Sequence, residues 1–330
     1  MVSCSKDELI NTKDVSSEAQ LLKVELDAAI NGFTNEYAYF ESDEVLNSFA
    51  IQYKNLSLER REELTGRVKY LTLEKHFDAI YEGMNDLITR DAFVNYVNNY
   101  SNLIEIKVID GEEEVVEKDI SRHRIAPFLN VDRIIKVGEE YRKYIGEFYV
   151  TSSNYNDLIA INSTKEISKS GLEHKISYTT MSGINDKGGR EKEFFDELEN
   201  DINRCKDQRK VEFYAYFHVF EQKFKQGGLE FTDYTVDPTT EVIAKRKGIP
   251  CIWYTYKTNI TWDNFDIRYR IDGGSIQTWT IANASANARK IVRDHGTQFA
   301  GTYKPTLEWT KIRSTVGSRG IGAQVLEINE

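Results

Sequence analysis

Aromatic and basic residues alternate along strands predicted in the second half of the chain. Because alternate residues of a strand point to the same side, such side chains collect on one face. Aromatic rings can stack on sugars, and arginine or histidine can hydrogen-bond hydroxyl groups. The candidate ligand-contact residues are Tyr214, Tyr216, His218, Arg268, Arg270 and Trp279. The alternative is ordinary cross-strand packing of the rings, with the arginines solvated at the surface.

Familiar signatures of catalysis do not occur in the sequence. The chain contains no Gly-x-Ser-x-Gly, no His-Glu-x-x-His, no Cys-x-x-Cys and no phosphate-binding Gly-Lys-Ser/Thr. Its five histidines occur singly. We therefore predict no catalytic residue, no metal ligand and no cofactor. The abundant carboxylates nevertheless leave open a pair of the kind that glycosidases use.

A glycine-rich segment near the end of the chain, TVGSRGIG at 315–322, is similar to a dinucleotide-binding fingerprint. That fingerprint requires a following helix and further parallel strands, and 8 residues follow Gly322. We therefore interpret the segment as a turn between the last two strands.

The first residues predict a lipid anchor. Residues 1–4, Met-Val-Ser-Cys, are similar to the end of a bacterial lipobox, where small residues precede a cysteine that receives acyl chains. Ser-Lys-Asp-Glu after Cys4 is similar to an acidic export tag, and residues 1–15 would form a polar tether. We expect the precursor to begin upstream of Met1, because the charged and apolar parts of a signal do not precede the cysteine. An incidental cysteine in an ordinary N-terminus is the alternative.

Two further cysteines, Cys205 and Cys251, lie in the part of the chain predicted to be rich in strands. In an oxidising compartment they could pair, and closing a loop of that length would stabilise the fold by roughly 4 kcal/mol. Cysteine is also a common small core residue, so two buried free thiols are the alternative.

Charge and hydropathy argue against two classes of function. The 330 residues include 43 Lys+Arg and 53 Asp+Glu, which gives a formal net charge of −10. Binding to nucleic acid usually needs a basic stripe, and none is visible, so nucleic acid is not an expected partner. The apolar runs fall short of the ~20 residues that span a bilayer. The expected partners are a membrane, through the lipid anchor, and a glycan or protein ligand.

The first third of the chain, residues 16–105, is predicted to be helical. Ser42 and Ser57 can each cap a helix, because a serine hydroxyl accepts a hydrogen bond from a free amide at a helix start. Apolar residues between Leu73 and Ile88 recur every three or four positions, which predicts one amphipathic helix over that range.

Residues 106–190 are predicted to be a mixed region of β-hairpins and loops. Alternation of apolar and charged residues from Ile104 to Val108 predicts a strand. Residues 134–150 predict a hairpin that turns at Gly138-Glu139. Residues 153–192 are rich in Ser, Asn, Lys and Gly and are predicted to be a loop or linker.

Residues 191–330 are predicted to form an antiparallel, β-sandwich-like domain, so the expected fold class is α+β. Five apolar residues between 211 and 219 alternate with polar or aromatic ones, which predicts a half-buried strand. Asp272-Gly273 predicts a hairpin turn between two alternating segments.

Several segments of the sequence resemble a family of uncharacterised Bacteroidales lipoproteins. The longest is YAYFESDEVLNSFAIQYKNLSLERREELTGRVKYLTLEKHFDAIYE, and it contains Phe40, Ser42, Glu44 and the turn that begins at Ser57. The segments LNVDRIIKVGEEYRKYIGEF, CKDQRKVEF and KGIPCIWYTYKT resemble later strands of the family. The resemblance covers about two-thirds of the chain. It implies a surface or periplasmic lipoprotein, and it implies no reaction and no catalytic residues.

These observations lead to one expected function and one alternative. We expect a non-catalytic lipoprotein of the bacterial outer membrane, surface-exposed or periplasmic, that binds a glycan or a protein. The alternative is a secreted hydrolase that degrades polymers with an unrecognised pair of carboxylates. A third reading is a subunit of an assembly that accepts a partner strand along a sheet edge.

Overall fold

The structure is a computed structural model, and it describes residues 25–54, 56–118, 123–177, 179–181, 192–196, 208–226, 229–248, 251–279, 283–295, 298–318 and 321–329. Within these ranges the chain forms an α+β fold, as predicted, with helices in the N-terminal part and three β-sheets. The predicted tether at 1–15 lies outside the described residues.

Capped helices form the N-terminal part. The hydroxyl oxygen of Ser57 accepts from the amide of Arg60, and the hydroxyl oxygen of Thr72 accepts from the amide of Lys75, so the helices that follow begin where their sequences predict. Ser42 accepts from Val45 in the same way. The helices are α1 Leu26–Asn31, α2 Asp43–Lys54, α3 Leu58–Gly66, α4 Leu73–Gly83, α5 Arg90–Asn99, α6 Tyr155–Ile159 and α7 Thr164–Ser170.

The amphipathic helix predicted from Leu73 to Ile88 is shorter in the structure. α4 ends at Gly83, and a 3₁₀ turn covers Met84–Asp86. A Cβ atom on residue 83 would lie 2.2 Å from the hydroxyl oxygen of Tyr96, so α5 approaches this point too closely for a larger residue. Beyond the break Ile88 leaves the apolar stripe and is 69% exposed.

Three sheets contain the strands. The strands are β1 Tyr39–Phe40, β2 Ile104–Ile109, β3 Glu112–Glu117, β4 Ile134–Val137, β5 Glu140–Ile145, β6 Phe148–Ser152, β7 His174–Ile176, β8 Thr179–Met181, β9 Lys192–Asp196, β10 Gln208–Gln226, β11 Leu229–Lys247, β12 Trp253–Thr255, β13 Thr258–Ile271, β14 Gln277–Trp279, β15 Ala284–Ala288, β16 Lys290–Asp294, β17 Phe299–Gly301, β18 Leu307–Ser318 and β19 Ile321–Asn329.

The first sheet has the strand order β1-β4-β5-β6-β7. The second has the order β2-β3-β12-β11-β10-β8; in addition, β16 and β17 pair with β11, and β9 pairs with β10. The third has the order β14-β13-β18-β19, and β15 also pairs with β13.

Two predictions for the middle of the chain need correction. The second strand of the hairpin at 134–150 is divided into β5 and β6, because the chain turns at Gly146 with a φ of 54° that favours glycine. The predicted loop at 153–192 contains α6, α7 and β7. A capping box of Ser163 and Glu166 starts α7, and Gly171 ends it in a left-handed conformation, so local capping creates a helix in a polar segment.

The hairpin of β10 and β11 is the centre of the second sheet, and its two faces are covered differently. One face carries the alternating apolar residues of 211–219, which are buried as predicted. Phe217 stacks on Trp309 with ring centroids 4.1 Å apart, and Phe213 meets Trp262 at 5.8 Å, so this face packs on the third sheet. The strand was predicted to be half-buried with a polar aromatic face, but Tyr216 and His218 on that face are buried as well, because residues of α2 to α4 lie over it.

The predicted hairpin turn at Asp272-Gly273 is confirmed. Asp272 and Gly273 both have positive φ angles, of 53° and 65°, between β13 and β14. The glycine-rich segment at 315–322 lies where β18 ends and β19 begins, and these two strands pair with each other in antiparallel fashion.

Candidate functional site

A cavity of about 480 Å³ lies between the helices and the polar face of the second sheet. This volume falls within the roughly 300–1,000 Å³ typical of sites for small ligands. The cavity is lined by residues of α2, α3, α4, β3, β10, β11, β12 and β16, and by the segment 123–127. The site therefore depends on elements that are far apart in the sequence, from residue 53 to residue 292.

The sheet wall of the cavity is built by the register of β10 and β11. His218 pairs with Asp237, and Tyr214 pairs with Glu241, so their side chains point to the same face. Tyr216 lies between these pairs on β10. Alternation along the two strands thus places aromatic rings, an imidazole and carboxylates side by side.

The helix wall contributes a buried ion pair. Lys54, at the end of α2, reaches across to β11, where its Nζ lies 2.6 Å from Oδ2 of Asp237. Both side chains are 3% exposed. The pairing matters because an uncompensated buried charge costs several kcal/mol. This contact fixes the end of α2 against the sheet.

A second ionic contact joins α4, β3 and the residue that precedes β16. The guanidinium of Arg289 binds three carboxylates, at 2.9 Å to Glu74, 2.8 Å to Asp78 and 2.7 Å to Glu117. It also lies 5.1 Å from the ring centroid of Tyr81. Burial disfavours the charge, but Glu117 and Glu74 outweigh burial and raise the pKa of Arg289.

A third cluster of charges closes one end of the sheet wall. Glu114 of β3 and Glu212 of β10 each contact both Lys210 and Lys245. The Nζ of Lys210 lies 2.8 Å from Oε1 of Glu212 and 3.3 Å from Oε2 of Glu114. All four side chains are almost fully buried, so their charges compensate one another within the protein.

The imidazole of His123 lies in the segment between β3 and β4 and lines the cavity. Burial, and next the positive charge of Arg124, lower its pKa well below the usual value. The amide of Ile125 donates to its Nδ1 at 3.3 Å. A neutral ring is therefore built into the wall, with Nδ1 as acceptor.

The six candidate ligand-contact residues are not brought together. Tyr216 and His218 line the cavity, and the hydroxyl of Tyr214 donates to Oε2 of Glu212 at 2.7 Å. Arg268 is exposed and binds Asp266.

The other two candidate residues also lie away from the cavity wall. Arg270 is opposite Glu308 in the register of β13 and β18. Trp279 is buried and stacks on His295 with ring centroids 4.7 Å apart.

The cysteine predictions fall partly outside the described residues. Cys251 is disulfide-bonded. Cys4 and Cys205, the other two cysteines of the chain, lie outside the described residues. Within the part of the chain that the structure describes, no group of three His, Cys, Asp or Glu side chains is placed to hold a metal ion.

Sequence reasoning missed the residues that β11 contributes to the cavity. A proline usually marks a strand end or an edge strand, so Pro238 gives a misleading signal at this position. In the structure β11 continues through Pro238, which pairs with Phe217 and whose carbonyl accepts from the amide of His295 at 2.9 Å. The alternation of the polar residues Asp237, Thr239 and Glu241 could have indicated that the strand continues and that these side chains share one face.

Comparisons with known proteins give little further information. No protein-family profile matches the chain, and no curated protein sequence matches it. A crystal structure of a DUF4848 family protein from Bacteroides thetaiotaomicron is similar over 89% of this chain and 97% of that chain, with 12% identity and a TM-score of 0.28. No helix of the described ranges is long and apolar enough to cross a membrane.

The buried imidazole predicts a pH dependence of stability. Because the pKa of His123 is lowered in the folded state, the unfolded chain takes up a proton at this residue first as the pH falls below about 6.5. We expect the wild type to lose up to about 1.4 kcal/mol of unfolding free energy per pH unit through His123 alone. His123→Asn keeps an acceptor for the Ile125 amide and removes the titration, so its loss should be smaller.

Urea unfolding between about pH 7 and about pH 5 measures this difference. His174→Asn, at an exposed position of β7, is the matched control and should follow the wild type. Parallel curves for wild type and His123→Asn would contradict the assignment.

Proposed function

We propose that this protein is a non-catalytic lipoprotein of the bacterial outer membrane, surface-exposed or periplasmic, that binds a glycan in the cavity between its helices and its second sheet. The observation that carries the proposal is the cavity itself. It has the volume of a small-ligand site and combines three tyrosine rings with hydrogen-bonding groups. A protein ligand would need a broad exposed surface, and this site is a concave cavity that suits the end of a glycan chain.

The composition of the walls supports a glycan. Tyr53 and Tyr81 line the helix side, and Tyr216 lines the sheet side. Sugar rings present C–H faces that stack on aromatic rings and hydroxyl edges that hydrogen-bond to polar groups. Paired charges hold these walls in place, so the site is formed before the ligand arrives, which reduces the entropic cost of binding.

The hydrolase alternative is less well supported. A glycosidase needs one carboxyl group that stays protonated, which requires a raised pKa. Burial raises the pKa of Glu74, but Lys290 and Arg289 outweigh burial and leave that pKa lowered. Asp237 and Glu114 each contact a lysine. Among the described residues, every carboxyl group with a resolved shift has a lowered pKa, which favours binding over general acid catalysis.

The second and third sheets support the view of a rigid β-sandwich-like platform behind the cavity. Phe217 contacts both Tyr269 and Trp309 of the third sheet, and Phe213 contacts Trp262. We infer that face-to-face packing of this kind fixes the hairpin of β10 and β11, and thereby the sheet wall of the site.

Export is supported by the cysteines. Disulfides persist in oxidising compartments, and Cys251 is disulfide-bonded. We infer that its partner is Cys205, because Gln208 pairs with Lys247 at this end of the β10–β11 ladder and Cys205 lies three residues before Gln208 in the sequence. Such a bond would join the two chain segments that extend beyond the hairpin.

One mass-spectrometric experiment tests both cysteine assignments. The protein is expressed from its full precursor in its native host, extracted from membranes and digested without reductant. We expect an acylated peptide that begins at Cys4, and a peptide pair joined through Cys205 and Cys251. The variant Cys4→Ser should lose the acyl chains and the membrane association and keep the disulfide. An unmodified Cys4 in the wild type would refute the lipid anchor, and a Cys251 bonded elsewhere would refute the pairing.

Glycan binding is tested by filling the cavity. Val292→Trp places a large ring in the wall, and Val108→Trp makes the same change on β2, where Val108 is 70% exposed. We expect the wild type to bind members of a surface-glycan array, and Val292→Trp to lower the affinity for the same glycans at least about tenfold because the ligand and the ring compete for one space.

Val108→Trp should bind like the wild type. Equal binding by both variants would place the glycan elsewhere, and an array without any bound glycan would contradict the proposed ligand. Thermal unfolding of each variant shows whether its fold is intact.

A further inference from the structure

We propose that Glu241 recognises an ammonium group, so the glycan that enters the cavity carries an amino sugar whose amine is free and not acetylated. This inference rests on the proposed function of the cavity and names the chemical class of its ligand. The geometry of a single unpaired carboxylate carries the argument.

Glu241 lies in the middle of the sheet wall. On β11 it pairs with Tyr214 of β10 on one side and with Val292 of β16 on the other. Its side chain is 5% exposed and lines the cavity. The side chain is therefore largely removed from bulk water and faces the cavity.

The other four acidic residues of the cavity wall are bound to cations of the protein. Lys54 binds Asp237, and Lys245 binds Glu114. Arg289 binds both Glu74 and Glu117. The wall is therefore built so that buried carboxylates are compensated.

Glu241 departs from this pattern. It makes neither a hydrogen bond nor an ion pair with any residue in the described ranges. Glu241 interacts electrostatically with Lys290. Burial lowers the pKa of Lys290, but Glu74, Glu117 and Glu241 outweigh burial and raise it. The ammonium of Lys290, however, lies 3.0 Å from Oε1 of Glu74 and is held there. Glu241 thus keeps its oxygen lone pairs available to a ligand.

The charge decides which ligand group fits. A hydroxyl of a neutral sugar would give Glu241 a hydrogen bond but would bring no opposite charge to the carboxylate. An ammonium group supplies both the hydrogen bond and an opposite charge, so Coulomb attraction adds to a hydrogen bond that a hydroxyl could also make. In a site with little water this difference grows, because the local dielectric is low. An amino sugar is the carbohydrate that meets this requirement.

The test compares three monosaccharides by isothermal titration calorimetry at a mildly acidic pH. Glucosamine has the ammonium, glucose has a hydroxyl in its place, and N-acetylglucosamine has an uncharged amide. We expect the wild type to bind glucosamine at least about tenfold more tightly than the other two. Glu241→Gln keeps the shape and removes the charge, so it should bind the three sugars with similar affinity.

Glu82→Gln is the matched control, because it removes the same charge at an exposed position of α4 outside the cavity wall. It should keep the wild-type preference for glucosamine. Equal affinity of the wild type for all three sugars, no binding of glucosamine, or a preference that survives in Glu241→Gln would overturn the inference. Glycans that bind on the array and lose affinity in Val292→Trp would then still support the proposed function, so the two failures are distinguishable.

Discussion

Buried ion pairs between the helices and the second sheet are the interaction on which the rest of this structure depends. An interface between layers is usually apolar. Here Lys54 of α2 binds Asp237 of the sheet, and Arg289 beside β16 binds Glu74 of α4. Apolar surfaces can slide past one another at modest cost, whereas a buried charge that loses its partner costs several kcal/mol. These pairs therefore specify one arrangement of the helices on the sheet.

The cavity follows from the same constraint. Side chains that must meet their partners at fixed distances cannot also collapse into every space between the layers. The remaining space is a polar cavity lined by tyrosines and paired charges, and by Glu241, which has no ion-pair partner among the described residues. The behaviour that we propose, recognition of a ligand without chemical change, agrees with a wall in which Lys290 and Arg289 lower the pKa of Glu74 against the effect of burial. Proton transfer would need a carboxyl group that readily changes its state.

Local features of the fold could be predicted from the sequence. Serine caps located α2 and α3, period-two alternation located β10, and Asp272-Gly273 located a hairpin turn, because each of these depends on neighbouring residues. The lengths of α4 and β11 could not be predicted in this way. The end of α4 at Gly83 lies against Tyr96 of α5, and pairing with β10 continues β11 through Pro238.

The candidate site was the least predictable part of the molecule. The alternation in β10 showed that Tyr216 and His218 share a face, and they do line the cavity. It could not show that helices cover that face, because the contact of Arg289 with Glu74 joins residues 215 positions apart. Glu241 stands out because it makes no hydrogen bond or ion pair with the described residues, and this can be seen only in the structure.

The unfolding free energy of Arg289→Met, measured in urea, tests the central claim most directly. Methionine fills much of the same space without charge, so the change isolates the three carboxylates left behind. Because Glu74, Asp78 and Glu117 are 30%, 43% and 21% exposed, the account predicts a loss of roughly 2 kcal/mol, which is less than for a fully buried pair. Arg268→Met, which removes an exposed pair with Asp266, should cost no more than about 1 kcal/mol. If Arg289→Met were as stable as Arg268→Met, buried ion pairs would not hold the helices to the sheet, and the account would be contradicted.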